Sequence, residues 1–254
     1  MKNNPRMEKS VPDFPKTPGQ ICWDGPLPVP DIRTAEDIKS VLADPACSCS
    51  GPVYSMYRDV ARSDEDRQWL AANNLRFDIT VIPPRVLCGE YIKTKGHYHP
   101  DDPSGTGYPE IYEVLAGVAH YLIQTPDCSD AVLITACPGD IAVVPSGYGH
   151  VTINPSHDTA LQMANIVSSK FRSDYHEFEE RRGAVWFEMA GGEFVKNPAY
   201  SGHPKLRLVR AHRLSDVADV ISDPLYDLIE QRAPVLEFLN YPEKYEALFE
   251  DLYP

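Results

Sequence analysis

The sequence predicts an all-β fold, a barrel or sandwich of many short strands. Short apolar stretches recur from residue 53 to residue 189, and Gly, Pro and Asp stand between them. Regular spacing of this kind is typical of antiparallel barrels and sandwiches. The stretch 75–82 also alternates, because Phe77, Ile79 and Val81 share one face and Thr80 lies on the other. Alternation with a period of two residues indicates a strand that is buried on one side.

Composition and charge exclude several classes of protein. The chain has 254 residues, of which 43% are hydrophobic, so it can bury a sizeable core. Its net charge of −13 argues against a nucleic-acid partner. No apolar run reaches the roughly 18 residues of a membrane span, and residues 1–18 are polar and proline-rich, unlike a secretory signal. We therefore expect a cytoplasmic protein without a membrane partner, in which any phosphate site is local.

The chain divides into three predicted segments. Residues 1–50 form an N-terminal arm and a short helix, because prolines crowd residues 1–33 and Thr34 is a candidate N-cap. Residues 51–200 hold the barrel, which includes a helix that begins at Ser63. The predicted strands are 53–60, 75–82, 86–94, a strand-turn-strand about Gly117, 131–136, 141–144, 151–154, 159–167 and 184–189.

Residues 201–254 are predicted to form a C-terminal helical extension. Helices are expected to begin near Asp223 and Tyr241, each followed by a proline that suits the first helical turn. Apolar residues then recur at helical spacing. We expect these short helices to pack on the barrel or across a dimer.

Six cysteines are present, and none forms a Cys-x-x-Cys motif. Cys47 and Cys49 are two residues apart, a spacing open to a redox or metal pair. We favour two free loop thiols, the usual state in a reducing cytosol.

The candidate metal ligands are His97, His99, Glu110 and His150. His97 and His99 are two residues apart, so in a strand both imidazoles point to one face. Glu110 begins the next apolar alternation, and His150 follows a Pro-Gly-Asp turn and a short strand. Three imidazoles and one carboxylate suit Fe²⁺, Mn²⁺, Ni²⁺, Co²⁺ or Zn²⁺. Four protein ligands on a six-coordinate ion leave two positions open, as a catalytic ion requires.

These residues belong to a longer pattern that resembles the cupin-type glucose-6-phosphate isomerases of archaea and some bacteria. The matching blocks are Pro52-Val53-Tyr54, Thr80, Thr94-Lys95-Gly96-His97-Tyr98-His99, Glu110-Ile111-Tyr112, Gly117 and Ser173-Asp174-Tyr175. The match covers roughly residues 50–200. The resemblance implies a cupin double-stranded β-helix, or jelly-roll, barrel. It also implies a homodimer in glycolysis and gluconeogenesis, with one divalent ion per subunit, for which Fe²⁺ is the first choice.

The resemblance also implies roles for individual residues. Glu110 is expected to be the catalytic base, with Tyr112 or a metal-bound water as the alternative. The substrate, a sugar phosphate, is expected to contact Tyr54, Thr80, Thr94, Gly96 and Tyr175. Three positions depart from the family pattern, namely Ser173, Val167 and Ala119, and Lys170 or Arg172 is a candidate to replace lost phosphate contacts.

The same motifs are compatible with three other functions. A cupin Fe²⁺ oxygenase would use the same ligands without phosphate donors. A non-catalytic sugar-binding cupin would need no open metal site. A mannose-6-phosphate isomerase would differ only in the sugar that it accepts.

Overall fold

The computed structural model describes residues 21–211, 224–249 and 252–253. Most of its elements are short strands, as the turn spacing predicts. The strands are β1 (Asp31–Thr34), β2 (Pro52–Tyr57), β3 (Leu75–Ile82), β4 (Val86–Leu87), β5 (Glu90–Tyr91), β6 (Glu110–Ala116), β7 (Ala119–Gln124), β8 (Ala131–Ala136), β9 (Ile141–Val144), β10 (Gly149–Ile153), β11 (Leu161–Ser168), β12 (Trp186–Glu188), β13 (Phe194–Lys196) and β14 (Leu206–Arg210).

Two sheets face each other across the core. One has the order β1-β2-β3-β11-β6-β9 and the other the order β10-β7-β8-β14, with hairpins β4-β5 and β12-β13 beside them. Tyr112 of the first sheet contacts Tyr121 of the second, with ring centroids 5.0 Å apart. The predicted all-β fold is confirmed, with its short strands arranged in two sheets that enclose the core.

The helices are short and lie outside the sheets. They are α1 (Ala35–Ile38), α2 (Asp64–Ala72), α3 (His176–Glu180), Asp227–Glu230 and Glu246–Phe249, with 3₁₀ turns at Lys39–Val41, Pro234–Leu239 and Pro242–Lys244. Helix α2 begins where the sequence predicts, because the Ser63 side chain accepts a hydrogen bond from the Asp66 amide at 3.0 Å. No helix in the described ranges is both long and apolar enough to cross a bilayer.

The two faces of β3 meet different surroundings. Phe77 points outward, where Trp23 of the N-terminal segment and Tyr226 of the C-terminal segment contact its ring at 5.5 and 5.0 Å. Thr80 points to the opposite face and lines a cavity between the sheets. The terminal segments therefore cover the outer face of the large sheet and leave its inner face open to the cavity.

The segment boundaries at residues 50 and 200 remain predictions. The two sheets also include one strand before residue 50, β1, and one strand after residue 200, β14. β1 pairs with β2, and β14 pairs in parallel with β8. Residues 1–20 of the predicted arm, and the helix start predicted at Asp223, lie outside the described residues.

Two local expectations are wrong. The predicted strand 86–94 is instead the hairpin β4-β5, because Cys88 and Gly89 both adopt positive φ, 56° and 85°, and turn the chain. Cys47 is not a free thiol, since it forms a disulfide with Cys88, 41 residues along the chain. Cys49 remains free.

Candidate active site

The four predicted metal ligands converge at one end of the cavity. One donor atom from each of His97, His99, Glu110 and His150 lies within 4.8 Å of all the others. The Nε2 atoms of His97 and His99 are 3.1 Å apart. Glu110 Oε2 lies 3.4 Å from His99 Nε2 and 3.3 Å from His150 Nε2.

Backbone pairing explains why residues so distant in sequence meet. His97 and His150 face each other in an antiparallel bridge and exchange both backbone hydrogen bonds, at 3.2 and 3.0 Å. Residues opposed in this way project their side chains to the same face of the sheet. Glu110 comes from the other sheet, where it pairs with Val144 and Val167. The cluster therefore joins the two sheets.

Three further contacts hold the cluster in place. His99 donates from Nδ1 to the Tyr108 carbonyl at 2.9 Å, which leaves its Nε2 as an acceptor facing the cluster. Asn165 donates from Nδ2 to Glu110 Oε1 at 2.6 Å. The Tyr112 hydroxyl lies 3.0 Å from His150 Nε2.

Electrostatics keep the cluster in the protonation state of metal ligands. Burial, with the charges of the neighbouring histidines, lowers the pKa of His97 well below its ordinary value. Burial likewise lowers the pKa of His99 to about 4. For Glu110, burial alone would raise the pKa, but His150 and His99 outweigh it and lower the pKa. The imidazoles of His97 and His99 are therefore neutral and the Glu110 carboxylate is ionised near neutral pH.

This donor set fits a divalent cation. Glu110 Oε2 is buried without a hydrogen-bond partner among the described residues, although it faces two imidazole nitrogens. A buried carboxylate oxygen is costly in this setting unless a cation or a proton satisfies it. Neutral imidazoles and a carboxylate are the ligands that borderline divalent metals prefer.

All five predicted substrate residues line the same cavity, whose volume is about 320 Å³. They are Tyr54, Thr80, Thr94, Gly96 and Tyr175. Thr94 Oγ1 accepts from the Thr152 amide at 2.9 Å, so its hydroxyl proton is available to a ligand. The Tyr54 hydroxyl accepts from the Lys95 amide at 3.4 Å. The Tyr175 ring lies beside His97, with centroids 5.4 Å apart.

Two features explain glycine at position 96: the tight packing around it and the close approach of a ligand to its backbone. Its φ is +80°, a conformation that residues with a Cβ rarely adopt. A Cβ at this position would lie 2.4 Å from Val151 Cγ2 and 2.6 Å from Phe178 Cδ1. The chain therefore needs glycine here even before any anion approaches the backbone.

Sequence reasoning missed four polar residues that line the cavity, Arg58, Arg76, Asp78 and Asn165. The signal was present as strand alternation, because Arg76 and Asp78 share the Thr80 face of β3. Of the two basic residues considered as replacements, Arg172 lines the cavity. Lys170 instead contacts Tyr241, with its ammonium 4.1 Å from the ring centroid.

The chain is similar to known proteins over most of the region that contains these residues. A family model described as glucose-6-phosphate isomerase (GPI) matches residues 32–205. A glucose-6-phosphate isomerase from Thermococcus gammatolerans is 32% identical over 151 residues, which is 59% of this chain and 73% of that protein. Its counterpart from Thermococcus litoralis is 36% identical over 129 residues, which is 51% of this chain and 61% of that protein.

Structural similarity is more remote. An oxalate decarboxylase from Bacillus subtilis aligns with a TM-score of 0.35 and 17% identity, over 49% of this chain and 28% of that chain. Similarity at this level supports no statement about the activity of this chain.

Proposed function

The chain belongs to the glucose-6-phosphate isomerase family, and on that premise we propose that it is a metal-dependent aldose–ketose isomerase that interconverts glucose 6-phosphate and fructose 6-phosphate. The observation that carries the proposal is the convergence of His97, His99, Glu110 and His150 in a cavity lined by hydroxyl and amide donors. This assignment places the enzyme in glycolysis or gluconeogenesis.

The metal is part of the proposal. The three imidazoles and Glu110 Oε2 would hold one divalent ion per subunit, with Fe²⁺ as the first choice and Mn²⁺, Ni²⁺, Co²⁺ or Zn²⁺ as alternatives. When bound, such an ion supplies the positive charge that stabilises negative charge developing on O1 and O2 of the sugar.

The chain's own residues then move the protons. Glu110 takes the proton from C2 of open-chain glucose 6-phosphate, the C–H electron pair forms the C1–C2 double bond, and the π pair of the C1–O1 carbonyl moves to O1, which is protonated to give the enediol. In the second step the O2 hydroxyl loses its proton and becomes the C2 carbonyl, while the pair of the C1–C2 double bond takes the proton from Glu110 at C1, which gives the ketose. Asn165 keeps the Glu110 carboxylate in one orientation through its hydrogen bond to Oε1.

Tyr112 is suited to donate a hydrogen bond and not to remove a proton. Burial, together with the charge of Glu110, raises the pKa of the Tyr112 hydroxyl well above its ordinary value. The hydroxyl is therefore protonated near neutral pH and available as a donor to the substrate oxygens. This supports Glu110 over Tyr112 as the base.

Neutral donors that line the cavity are suited to contact the phosphate. Thr94 and Gly96 lie on the segment that pairs with β10, and Tyr54 and Tyr175 flank it. Hydroxyls and backbone amides bind a phosphate without adding a large basic surface, in keeping with the net charge of −13.

We also propose a cytoplasmic homodimer. β1 is an edge strand of the large sheet, since it pairs only with β2 among the described strands. Ile32 on this strand is 55% exposed, and Val29 just before it is 93% exposed. Pairing with a second copy would cover this apolar edge, and light scattering coupled to size-exclusion chromatography measures the resulting mass.

The deciding experiment is a coupled assay of fructose 6-phosphate conversion before and after chelation. We expect activity in the purified protein, its loss on removal of the metal and its return when Fe²⁺ or Mn²⁺ is added back. A His97→Ala variant should stay inactive after metal addition, whereas Arg62→Met, on the outside of the barrel, should respond like the wild type. Full activity in protein shown to be metal-free would contradict the proposal.

Proton transfer has its own test. Turnover in D₂O should place deuterium at C1 of fructose 6-phosphate if Glu110 exchanges its proton with solvent. A complete lack of incorporation would instead favour a hydride shift between the two carbons.

A further inference from the structure

Two arginines converge on one buried carboxylate in the wall of the cavity. Asp78, which is only 2% exposed, accepts from Arg58 Nη1 at 3.1 Å and from Arg76 Nε at 2.8 Å. It also accepts from the Asp59 amide at 3.0 Å. All three charged side chains line the cavity, and none of them has a role in the proposed reaction as described above.

Strand register places this cluster on the same wall as Glu110. Val167 of β11 pairs with Arg76 on one side and with Glu110 on the other. Because neighbouring strands are about 4.8 Å apart, the Arg76 backbone lies roughly 10 Å from that of Glu110.

The cluster carries surplus positive charge. Two guanidinium groups share the single buried carboxylate of Asp78, and the other acidic partner of Arg58, Asp31, is 69% exposed. Arg76 uses Nε for Asp78, and its two terminal nitrogens donate to no residue in the described ranges. Its side chain is 26% exposed, so these donors can reach a ligand in the cavity.

A guanidinium with spare donors is a specific receptor for phosphate, because its planar fork matches two phosphate oxygens. Asp78 restricts how both side chains can turn, which reduces the entropy lost when a ligand binds. Buried ion pairs contribute little to stability compared with apolar packing. The arrangement is therefore better explained by ligand binding than by folding.

We propose that Arg58 and Arg76 are substrate-binding residues that take the phosphate group of the sugar phosphate, and that Asp78 is the positioning residue for both. The inference rests on the proposed function and deepens it. Tyr54, Thr80 and Thr94 supply neutral donors, and the arginines supply the charge that matches a phosphate dianion. The enzyme therefore selects phosphorylated sugars over neutral ones.

The test compares Arg58→Met and Arg76→Met with Arg62→Met. Arg62 is a matched control, because its side chain is 31% exposed against 32% for Arg58, and it also pairs with two acids, Asp24 and Glu230. It does not line the cavity. One measurement is the KM and kcat for fructose 6-phosphate. The other is calorimetric titration with inorganic phosphate.

We expect each cavity variant to raise KM and weaken phosphate binding by about tenfold to a hundredfold, the effect of one charge-assisted hydrogen-bonding partner. The kcat should stay within about twofold, because neither arginine touches the reacting carbons in this proposal. Arg62→Met should match the wild type in both measurements. Arg76→Lys, which keeps the charge but loses the fork, should retain part of the affinity.

Asp78→Asn provides an independent variant with nearly the same volume. It should raise KM with little change in kcat, and its effect should add only in part to that of Arg76→Met, since Asp78 positions Arg58 as well as Arg76. Unchanged KM and phosphate affinity in the two arginine variants would overturn the proposal, as would an equal loss in Arg62→Met.

These experiments distinguish a failure of the arginine site from a failure of the proposed isomerase activity. A wild-type protein that fails to convert fructose 6-phosphate would refute the isomerase activity, while the phosphate titration would still test the arginines. An active wild type whose phosphate affinity does not depend on Arg58 and Arg76 would refute the arginine site alone.

Discussion

Asn165→Ala tests how the candidate metal site is held together. Asn165 is 5% exposed and donates to Glu110 Oε1 at 2.6 Å, a short hydrogen bond to a buried carboxylate. Hydrogen bonds to charged groups contribute about 1.5–3 kcal/mol. The alanine variant removes this donor and leaves Glu110 Oε1 without its hydrogen bond from β11. The carboxylate is then less firmly oriented, and its pKa rises.

The expected result is weaker metal binding. A loss of about 1.5–3 kcal/mol corresponds to about tenfold to a hundredfold in affinity, which is the usual effect of removing a residue that orients a metal ligand. Competition with a chromogenic chelator measures the affinity, and the coupled assay at saturating metal measures the activity that remains. We expect part of the activity to return at high metal concentration.

Asn154→Ala is the matched control. Asn154 is fully buried, but its Nδ2 donates to the backbone carbonyls of Ile82 and Thr159, at 2.9 and 3.0 Å, and not to a metal-site residue. It should lower the melting temperature without a change in metal affinity. The reasoning fails if Asn165→Ala binds metal as tightly as the wild type, or if both variants lose affinity equally.

Three further predictions follow from buried contacts. In metal-free protein, burial lowers the pKa of His99 to about 4 from its ordinary 6.5, so as pH falls from 6.5 to 4 the unfolded chain takes up a proton at this residue that the folded chain does not. His99 should therefore contribute a loss of about 3 kcal/mol in the free energy of unfolding over this window, measured as the difference in urea unfolding between the wild type and His99→Gln. Gly96→Ala should cost about 2–4 kcal/mol, because its Cβ would lie 2.4 Å from Val151 at a φ of +80°, and urea unfolding also measures this. Cys47→Ser should lower stability by about 3–4 kcal/mol without reductant, because it opens the loop closed by Cys88, as thermal melting would show.

Each of these has an internal control. The pH slope should flatten in His99→Gln, and an equal slope in both proteins would contradict the assigned cause. Gly105→Ala is the comparison for Gly96→Ala, because Gly105 also has positive φ, 90°, but has open space around its Cβ position; equal losses would show that packing against Val151 is irrelevant. With reductant present, Cys47→Ser should melt like the wild type.

Local sequence pattern was sufficient for much of the fold and the candidate site. The strand at 75–82 and the helix after Ser63 stand where alternation and capping predict them. The pair His97 and His99 projects to one side because residues two apart in an extended chain must do so. The order of the motifs, with Glu110 at the start of the next apolar alternation and His150 after a Pro-Gly-Asp turn and a short strand, added the other two ligands.

Other features needed the tertiary structure. Asn165 orients Glu110 from 55 residues away, and Cys47 meets Cys88 only because a loop and the tip of a hairpin lie side by side. The sequence favoured free thiols, since spacing alone does not report that distance.

The sequence by itself determined where most strands between residues 53 and 189 lie, which side chains share a face, and which residue types could bind a metal. Only the tertiary structure decided that Arg58 and Arg76 meet at Asp78, and that His150 lies opposite His97. The physical reason is that alternation acts over a few residues of one strand, whereas strand order and register depend on the packing of the whole core.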